Sequence, residues 1–253
     1  LSIFQAKPLF SIVTATYNSS ETLPRLFRSL QLQSFQNFEH IVVDGNSTDN
    51  TVELVQEFMR PQDTIISEED DGLYFAMNKG IQKSRGDFVC ILNSDDSFKI
   101  FTLEKVYEAL MANPTADIVY GGLNFMSDPE LSCFISHLEL DQKMIYHPTC
   151  FVRRTLFSEL DYFDTRYRVA ADYDFILRAR NNQAIFQPIQ IPLANFAEGG
   201  YSASNRWVSI LETFRIQTVH SRGSYFAATL LFIKSASRLL IDRIYKRKWT
   251  TKG

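Results

Sequence analysis

A chain of 253 residues is long enough for one large α/β domain with a substantial core, or for such a domain with a small appendage. Its composition, 45% apolar and 22% charged with 10 Gly and 8 Pro, is that of a globular protein and excludes a fibrous or low-complexity chain. The net charge of −3 argues against general nucleic-acid binding, yet residues 221–253 hold eight basic side chains against Asp242 alone, so that segment stands at +7 and the rest at −10.

Cys90, Cys133 and Cys150 are odd in number and widely spaced, which fits neither a disulfide framework nor a CxxC metal site. A reducing, cytoplasmic setting is expected. The opening “LSIFQAKPLF” lacks the basic start and long apolar region of a signal peptide. No apolar run approaches the roughly 20 residues that span a bilayer, so the expectation is a protein either soluble or peripheral on the inner face of a membrane.

In chain order, “LFSIVTAT” (9–16) reads as a strand buried on both faces. The next stretch, “NSSETLPRLFRSLQLQ”, reads as a helix. Leu23, Leu26, Phe27 and Leu30 recur on one face, and Asn18 with Glu21 has the spacing of a capping box. “EHIVVD” (39–44) is a second strand, “GNSTDN” a turn, and Val52, Val55 and Phe58 mark a second helix. “TIIS” (64–67) is a third strand, followed after an acidic loop by a helix over about 73–84. “DFVCIL” is a fourth strand, Leu103, Val106, Tyr107, Leu110 and Met111 mark a further helix, and “DIVYG” (117–121) is a fifth strand.

Strands alternating with helices of this length predict a mainly parallel sheet covered on both faces. In such sheets ligands bind at the carboxyl ends of the strands, near a topological switch point. Asp44 ends the second strand and Asp95-Asp96 follow the fourth, so these acids share that edge.

Beyond residue 125 the pattern loosens. “LSCFISHLEL” (131–140) predicts an extended segment or hairpin, and “PTCFVRR” (148–154) a strand. Asp172 heads a short helix, “DYDFILRAR”. “IFQPIQIPLANF” is extended, with prolines that favour a sheet edge. Helical patterns run from Asn205 to His220 and from Tyr225 to about Lys246.

The pair Asp95-Asp96 has an ordinary explanation, since acids after a strand often cap a helix or close a turn. It also has a chemical one. Two carboxylates held side by side repel, and a divalent cation relieves that repulsion. Oxygen ligands without nearby Cys or closely spaced His suit Mg²⁺ or Mn²⁺, which are held by one or two carboxylates together with substrate phosphates. No G-x-x-x-x-G-K-[ST] loop is present, and no G-x-G-x-x-G follows the first strand, which disfavours a nicotinamide enzyme.

The run from “FSIVTATYNSSETLPRLFRSLQLQSFQNFEHIVVDGNSTDNT” to “SEEDDGLYFAMNKGIQKSRGDFVCILNSDD” resembles the family 2 glycosyltransferases of the GT-A fold, in the bacterial branch that builds surface polysaccharides. The likeness is strong over about residues 8–125 and looser over 145–205. It implies a Rossmann-like, three-layer α/β catalytic domain over 1–204, with a nucleotide half (8–125) and an acceptor half (126–204), then a helical, basic extension over 205–253.

The resemblance further implies that Ala15, Thr16 and Tyr17 contact a nucleotide base, and that Asp44 bonds the uracil or ribose. Asp70 of “EEDDG” would lie near the nucleotide, with Asn78 and Lys79 facing the nucleotide and its phosphates. The family's acid-x-acid metal motif falls on Asn93-Ser94-Asp95, making Asp95 the metal ligand, with Asp96 beside it on the metal or the donor sugar. Asn93 departs from that motif, and Phe75 stands where many relatives carry Asp. The general base maps to Asp172, with Asp174 as competitor, and His147 and Arg153 to the acceptor or diphosphate site.

The implied activity is inverting transfer from a nucleotide-sugar, UDP-linked by resemblance, to a glycan or lipid-linked acceptor, assisted by Mg²⁺ or Mn²⁺. Two alternatives stand beside it: a sugar-nucleotide nucleotidyltransferase, which lacks its basic Gly-rich loop here, and a non-catalytic nucleotide-binding domain. Apolar residues at helical spacing over 225–249, with Lys246-Arg247-Lys248 at their end, read either as a packed helix or as a contact for an anionic membrane surface.

Overall fold

A computed structural model describes residues 7–220, 228–237 and 239. The chain runs β1 (Phe10–Thr16), α1 (Leu23–Gln31), β2 (Phe38–Asp44), α2 (Thr51–Phe58), β3 (Thr64–Ser67), α3 (Leu73–Lys83) and β4 (Phe88–Ile91). It continues through β5 (Ser97–Phe98), α4 (Thr102–Ala112), β6 (Ile118–Phe125), β7 (Ser132–Cys133), β8 (Phe151–Arg153) and α5 (Arg154–Glu159). α6 (Ala171–Asn181), β9 (Phe186–Phe196), α7 (Tyr201–Ser204) and α8 (Arg206–His220) follow, and residues 228–237 are again helical.

One sheet runs in the order β3-β2-β1-β4-β8-β6-β9-β5, with β7 paired to β6. β3, β2, β1 and β4 are mutually parallel, as are β6 and β9, whereas β8 is antiparallel to both β4 and β6. β6 and β9 therefore point the same way as β4. The segments after β1, β2, β4 and β9, and the one before β8, all emerge at one edge.

Alternation along the strands divides the core into two layers. Phe10, Ile12, Val42 and Cys90 pack with Leu23, Leu26, Val55 and Leu103 of α1, α2 and α4. Val13, Val43, Val89 and Ile91 pack on the other face with Met77 of α3, Phe157 of α5 and Phe175 of α6. α3 lies close to the sheet because Gly80 faces it, where a Cβ would come within 2.4 Å of Val13 Cγ1.

Three local expectations change. The Asn18–Glu21 capping box does not form: Thr22 is the N-cap of α1, without a side-chain bond, and Asn18 instead accepts from the Thr48 amide (2.9 Å). Its backbone there is left-handed (φ 48°), so it shapes a turn rather than a helix start. The proline-bearing strand is not at the outer edge, since β5 lies beyond it. β5 covers only Ala194 and Asn195, however, so Pro188 and Pro192 sit on a stretch with one side open. Of “LSCFISHLEL”, two residues form β7 and His137–Glu139 form a 3-10 turn.

α8 is packed into the body. Ile216 and Gln217 are buried, and Gln217 Nε2 donates to the Tyr173 hydroxyl (3.3 Å). Phe214 meets Phe232 at 4.8 Å, which brings the helix over 228–237 against α8. Most of the basic cluster near the end of the chain, Lys246-Arg247-Lys248 included, lies outside the described residues. Among the described residues no helix is long and apolar enough to cross a membrane.

Candidate active site

At the common edge the loops enclose a cavity of about 890 Å³. Ala15 and the turn 18–22 form one wall, Asn93, Ser94 and Asp95 the floor, residues 142–148 and Asp172 a second wall, and 199–203 with Ser209 and Thr213 a third. Beside it the ends of β1 and β2 and the loop after β3 come together. A Cβ on Gly45 would sit 3.1 Å from Asp70 Oδ2 and 3.6 Å from the ring of Tyr17, which is 61% exposed. Thr16 adds a buried hydroxyl with no hydrogen-bond partner.

Asp95 follows β4 into the cavity floor. Arg25 Nη2 donates to its carbonyl (2.6 Å), and Gly200 approaches so closely that a Cβ there would lie 2.8 Å from Asp95 Oδ2. Burial lifts the Asp95 carboxyl above the usual carboxylate range. The sequence expectation for Asp96 is corrected. Its side chain is fully buried behind the floor, one oxygen accepting from the Ala197 amide (2.9 Å) and the other from Asn93 Nδ2 (3.2 Å). Burial and then the adjacent Asp95 charge push it up to about 7. Asp96 therefore anchors the 197–203 segment instead of facing a ligand.

No group of three or more metal-ligating side chains converges among the described residues. One cavity-facing carboxylate suits a hard cation whose remaining ligands are phosphates and water, and the neighbourhood of Asp95 fits such an ion.

On the facing wall, Asp172 is the second residue of α6. Its Oδ2 meets His147 Nδ1 at 3.0 Å, and its Oδ1 lies 3.0 Å from the Tyr74 hydroxyl and accepts from the Tyr173 amide (2.9 Å). Asn93 Nδ2 also meets His147 Nε2 at 3.2 Å, so Asn93 links the floor to this wall. An acid at 93 would instead put a carboxylate against Asp96; the amide that departs from the family's motif is what the local contacts need. Burial pulls the His147 ring down, but the hydrogen bond and charge of Asp172, with Asp96 and Asp95, outweigh it, and the ring titrates above its ordinary value. Burial, then the Asp172 charge, raises Tyr74 well above the normal phenol range, so it remains a neutral donor.

The competitor Asp174 is turned away from the cavity: it is buried and held by Arg178 (2.7 Å) and His220 (2.9 Å). Arg153 is a correction. β8 runs antiparallel to β4, and Arg153 pairs with Phe88 at the start of that strand, so it stands at the opposite edge of the sheet. It bonds Asp117 (3.2 Å) and lies over the Phe88 ring. Asn78 is likewise spent within the protein, donating to the Phe163 carbonyl and accepting from the Phe163 amide (2.9 and 3.0 Å). Lys79 pairs with Glu68 (2.5 Å) and does not line the cavity. Asp44 is buried, accepting from the Ser47 amide and hydroxyl and from the Ser67 hydroxyl, so it ties the turn after β2 to the end of β3.

Sequence reasoning missed Tyr74. It stands one helical turn before Met77 and reads as core, and only the fold shows its hydroxyl against Asp172. It also missed that α7 and α8 wall the cavity, since Ser202, Ser209 and Thr213 belong to no recognisable motif.

With this geometry in hand, comparison with known proteins is specific. The profile of “Glycosyl transferase family 2” matches residues 11–160. A “PGL/p-HBAD biosynthesis glycosyltransferase” of Mycobacterium tuberculosis is 32% identical over 202 residues, covering 77% of this chain and 79% of that protein. Among solved structures, S. aureus TarS 1-349 in complex with UDP-GlcNAc superposes with a TM-score of 0.69 at 20% identity, over 90% of this chain and 72% of that one. The mannosyltransferase PcManGT from Pyrobaculum calidifontis, in complex with GDP-Man and Mn²⁺, gives 0.68 at 19% identity, over 94% and 76%. This chain belongs to glycosyl transferase family 2 and is a glycosyltransferase of the GT-A fold.

Proposed function

We propose that the protein transfers a sugar from a nucleoside-diphosphate sugar to a hydroxyl of a glycan or lipid-linked acceptor, with inversion at the anomeric carbon. The observation that carries this reading is that Asp95 and Asp172 face a single cavity from its floor and its wall, with Tyr17 and Asp70 gathered around Gly45 at the same sheet edge. Tyr17, exposed at the end of β1, stacks on the base, while Thr16 and Asp70 bond base or ribose. UDP-GlcNAc in TarS and GDP-Man in PcManGT support a nucleotide-sugar donor. Asp95 would hold a divalent cation, which would neutralise the charge that grows on the leaving diphosphate.

Asp172 takes the proton of the acceptor hydroxyl as its oxygen attacks the anomeric carbon and the bond to the diphosphate breaks on the opposite face. Tyr74 and His147 hold the carboxylate while it does so. Ser209 and Thr213, one turn apart on α8, line the acceptor side. Downstream, the exposed Leu230 and Ile233 and the basic residues of the chain's last segment support contact with an anionic membrane surface. Unchanged binding to phosphatidylserine vesicles after deletion of 225–253 would retire that contact.

The central test is hydrolysis of UDP-Glc, UDP-GlcNAc and GDP-Man, with and without Mn²⁺, alongside thermal shifts with the same donors. One donor should be cleaved, and Asp172→Asn should lose turnover by about a hundredfold or more while keeping the donor-induced shift. Absence of cleavage and shift with every donor, or an Asp172→Asn protein of near-parental rate, sinks the reading.

A further inference from the structure

α6 begins without a cap of its own. Its N-cap position is Ala170, and “RVAADYD” offers no Ser, Thr or Asn to receive the unsatisfied amides before the first turn. Asp172, the second residue of the helix, accepts the Tyr173 amide and also meets His147 and Tyr74 with its carboxylate.

The segment that leads into the helix is held instead from another element. Glu212, in the middle of α8, accepts from three consecutive backbone N–H groups: Arg168 on Oε1 (2.8 Å), then Val169 (2.9 Å) and Ala170 (3.1 Å) on Oε2. A carboxylate at a helix N-terminus also complements the helix dipole. The clasped segment is tied directly to the reacting wall. The Val169 carbonyl lies 2.9 Å from the Tyr74 hydroxyl that also touches Asp172, and Val169 and Ala170 line the cavity themselves.

We propose that Glu212 is a positioning residue for transfer: it clasps the 168–170 segment that leads into α6 and so fixes where the Asp172 carboxylate points. This rests on the reading of Asp172 as the base. It gives α8 a part in placing the reacting carboxylate. Further bonds hold α8 in register on α6: Gln217 to the Tyr173 hydroxyl, Asn181 and Arg180 to the His220 carbonyl (2.9 and 3.2 Å), and the His220 ring to Asp174 (2.9 Å). Loss of Glu212 therefore loosens the 168–170 segment without detaching the helix.

The test uses hydrolysis of whichever donor of the panel is cleaved fastest, so no acceptor is needed. Glu212→Gln keeps an acceptor oxygen and nearly the same shape but loses the charge; Glu212→Ala removes the clasp. Glu212→Ala should lower kcat by about tenfold to a hundredfold, and Glu212→Gln by less, with donor KM and the donor-induced thermal shift unchanged. In an Asp172→Asn background Glu212→Gln should lower the residual rate no further, because the group it positions is already gone. If Glu212→Ala does not fold, a fall in kcat for Glu212→Gln at unchanged donor KM carries the proposal. Parental kcat in both Glu212 variants, or an equal loss in the parent and the Asp172→Asn background, overturns it. A near-parental rate for Asp172→Asn alone is a separate result, which removes the base reading and this proposal with it.

Discussion

In the half before residue 125, four residues of the site stand in the turn or loop that follows a strand: Tyr17 after β1, Gly45 after β2, Asp70 after β3, Asp95 after β4. Parallel pairing puts these ends at one edge, so sequence position nearly sets spatial position. In the half after 125, Asp172 begins a helix and owes its orientation to three side chains from elsewhere. Tyr74 comes from α3, His147 from the segment before β8, and Glu212 acts from α8 through the 168–170 amides. The first half offers its acid directly; the second assembles its acid from tertiary contacts. Variants in the first half should therefore remove one function cleanly, and variants in the second should act through Asp172.

The largest effect is expected at Asp95. Asp95→Ala should lower metal-stimulated donor hydrolysis by about a thousandfold, roughly 4 kcal/mol of transition-state stabilisation. Raising Mn²⁺ should not restore the rate, and the protein should melt no lower than the parent, because Asp95 sits under burial strain that the change relieves. Hydrolysis within tenfold of the parent would mean that the first half does not deliver its acid in this way.

The next effect probes the rigidity of the first half. His40 is buried in β2 with Nε2 3.0 Å from the Thr14 hydroxyl, which spends its own proton on the Leu92 carbonyl (2.8 Å), so His40 donates as a neutral ring. Burial, only partly countered by Asp63, lowers it to about 4. Between about 4 and 6.5 the unfolded chain binds a proton that the folded chain refuses, so this contribution is complete above 6.5 and fades as pH falls. The whole difference corresponds to about 3 kcal/mol. Asp96, raised to about 7, acts in the opposite sense over much of the same range, so total stability is a poor readout. The difference between parent and His40→Gln is a clean one, since Asp96 is common to both. Urea unfolding at pH 7.5 and 4.5 should show the parent losing about 2–3 kcal/mol more than the variant. Parallel losses would place the acid sensitivity elsewhere.

A smaller effect separates the halves most directly. His147→Gln removes the ring N–H held 3.0 Å from Asp172 and should lower turnover by about tenfold, with donor KM unchanged. In the Asp172→Asn background the same change should cost nothing further. An additive loss would show His147 touching the donor on its own account, as a first-half residue does.

The same contrast sets what was legible beforehand. The parallel block and its order of strands and helices were readable because buried strands and amphipathic helices leave period-2 and period-3.6 marks, and Asp95 was readable from its place after β4. The likeness to a family extended that reading to Asp172. What escaped was side-chain direction. Asp96 adjoins Asp95 but turns inward, Asn78 is taken up by the Phe163 backbone, and Glu212 lies 42 to 44 positions from the amides it clasps. Short strands hid as well: β5 and β7 have two residues each, too few for any period to register.

Arg153 gives the smallest expected change in turnover and the sharpest check on strand direction. From “YHPTCFVRR” it follows His147 by six residues, and a parallel strand there would carry it along the face of the same site. Because β8 instead runs antiparallel between β4 and β6, the chain leaves the cavity at His147 and reaches the far edge by Arg153. There the guanidinium bonds Asp117 and the carbonyls of Pro114 and Ala116, closing the turn before β6. Arg153→Ala should therefore keep kcat and donor KM within twofold of the parent while lowering stability by about 1 kcal/mol, through charge-assisted bonds that are half in water. Loss of donor turnover without loss of stability would put the guanidinium at the cavity, and β8 would have to run the other way.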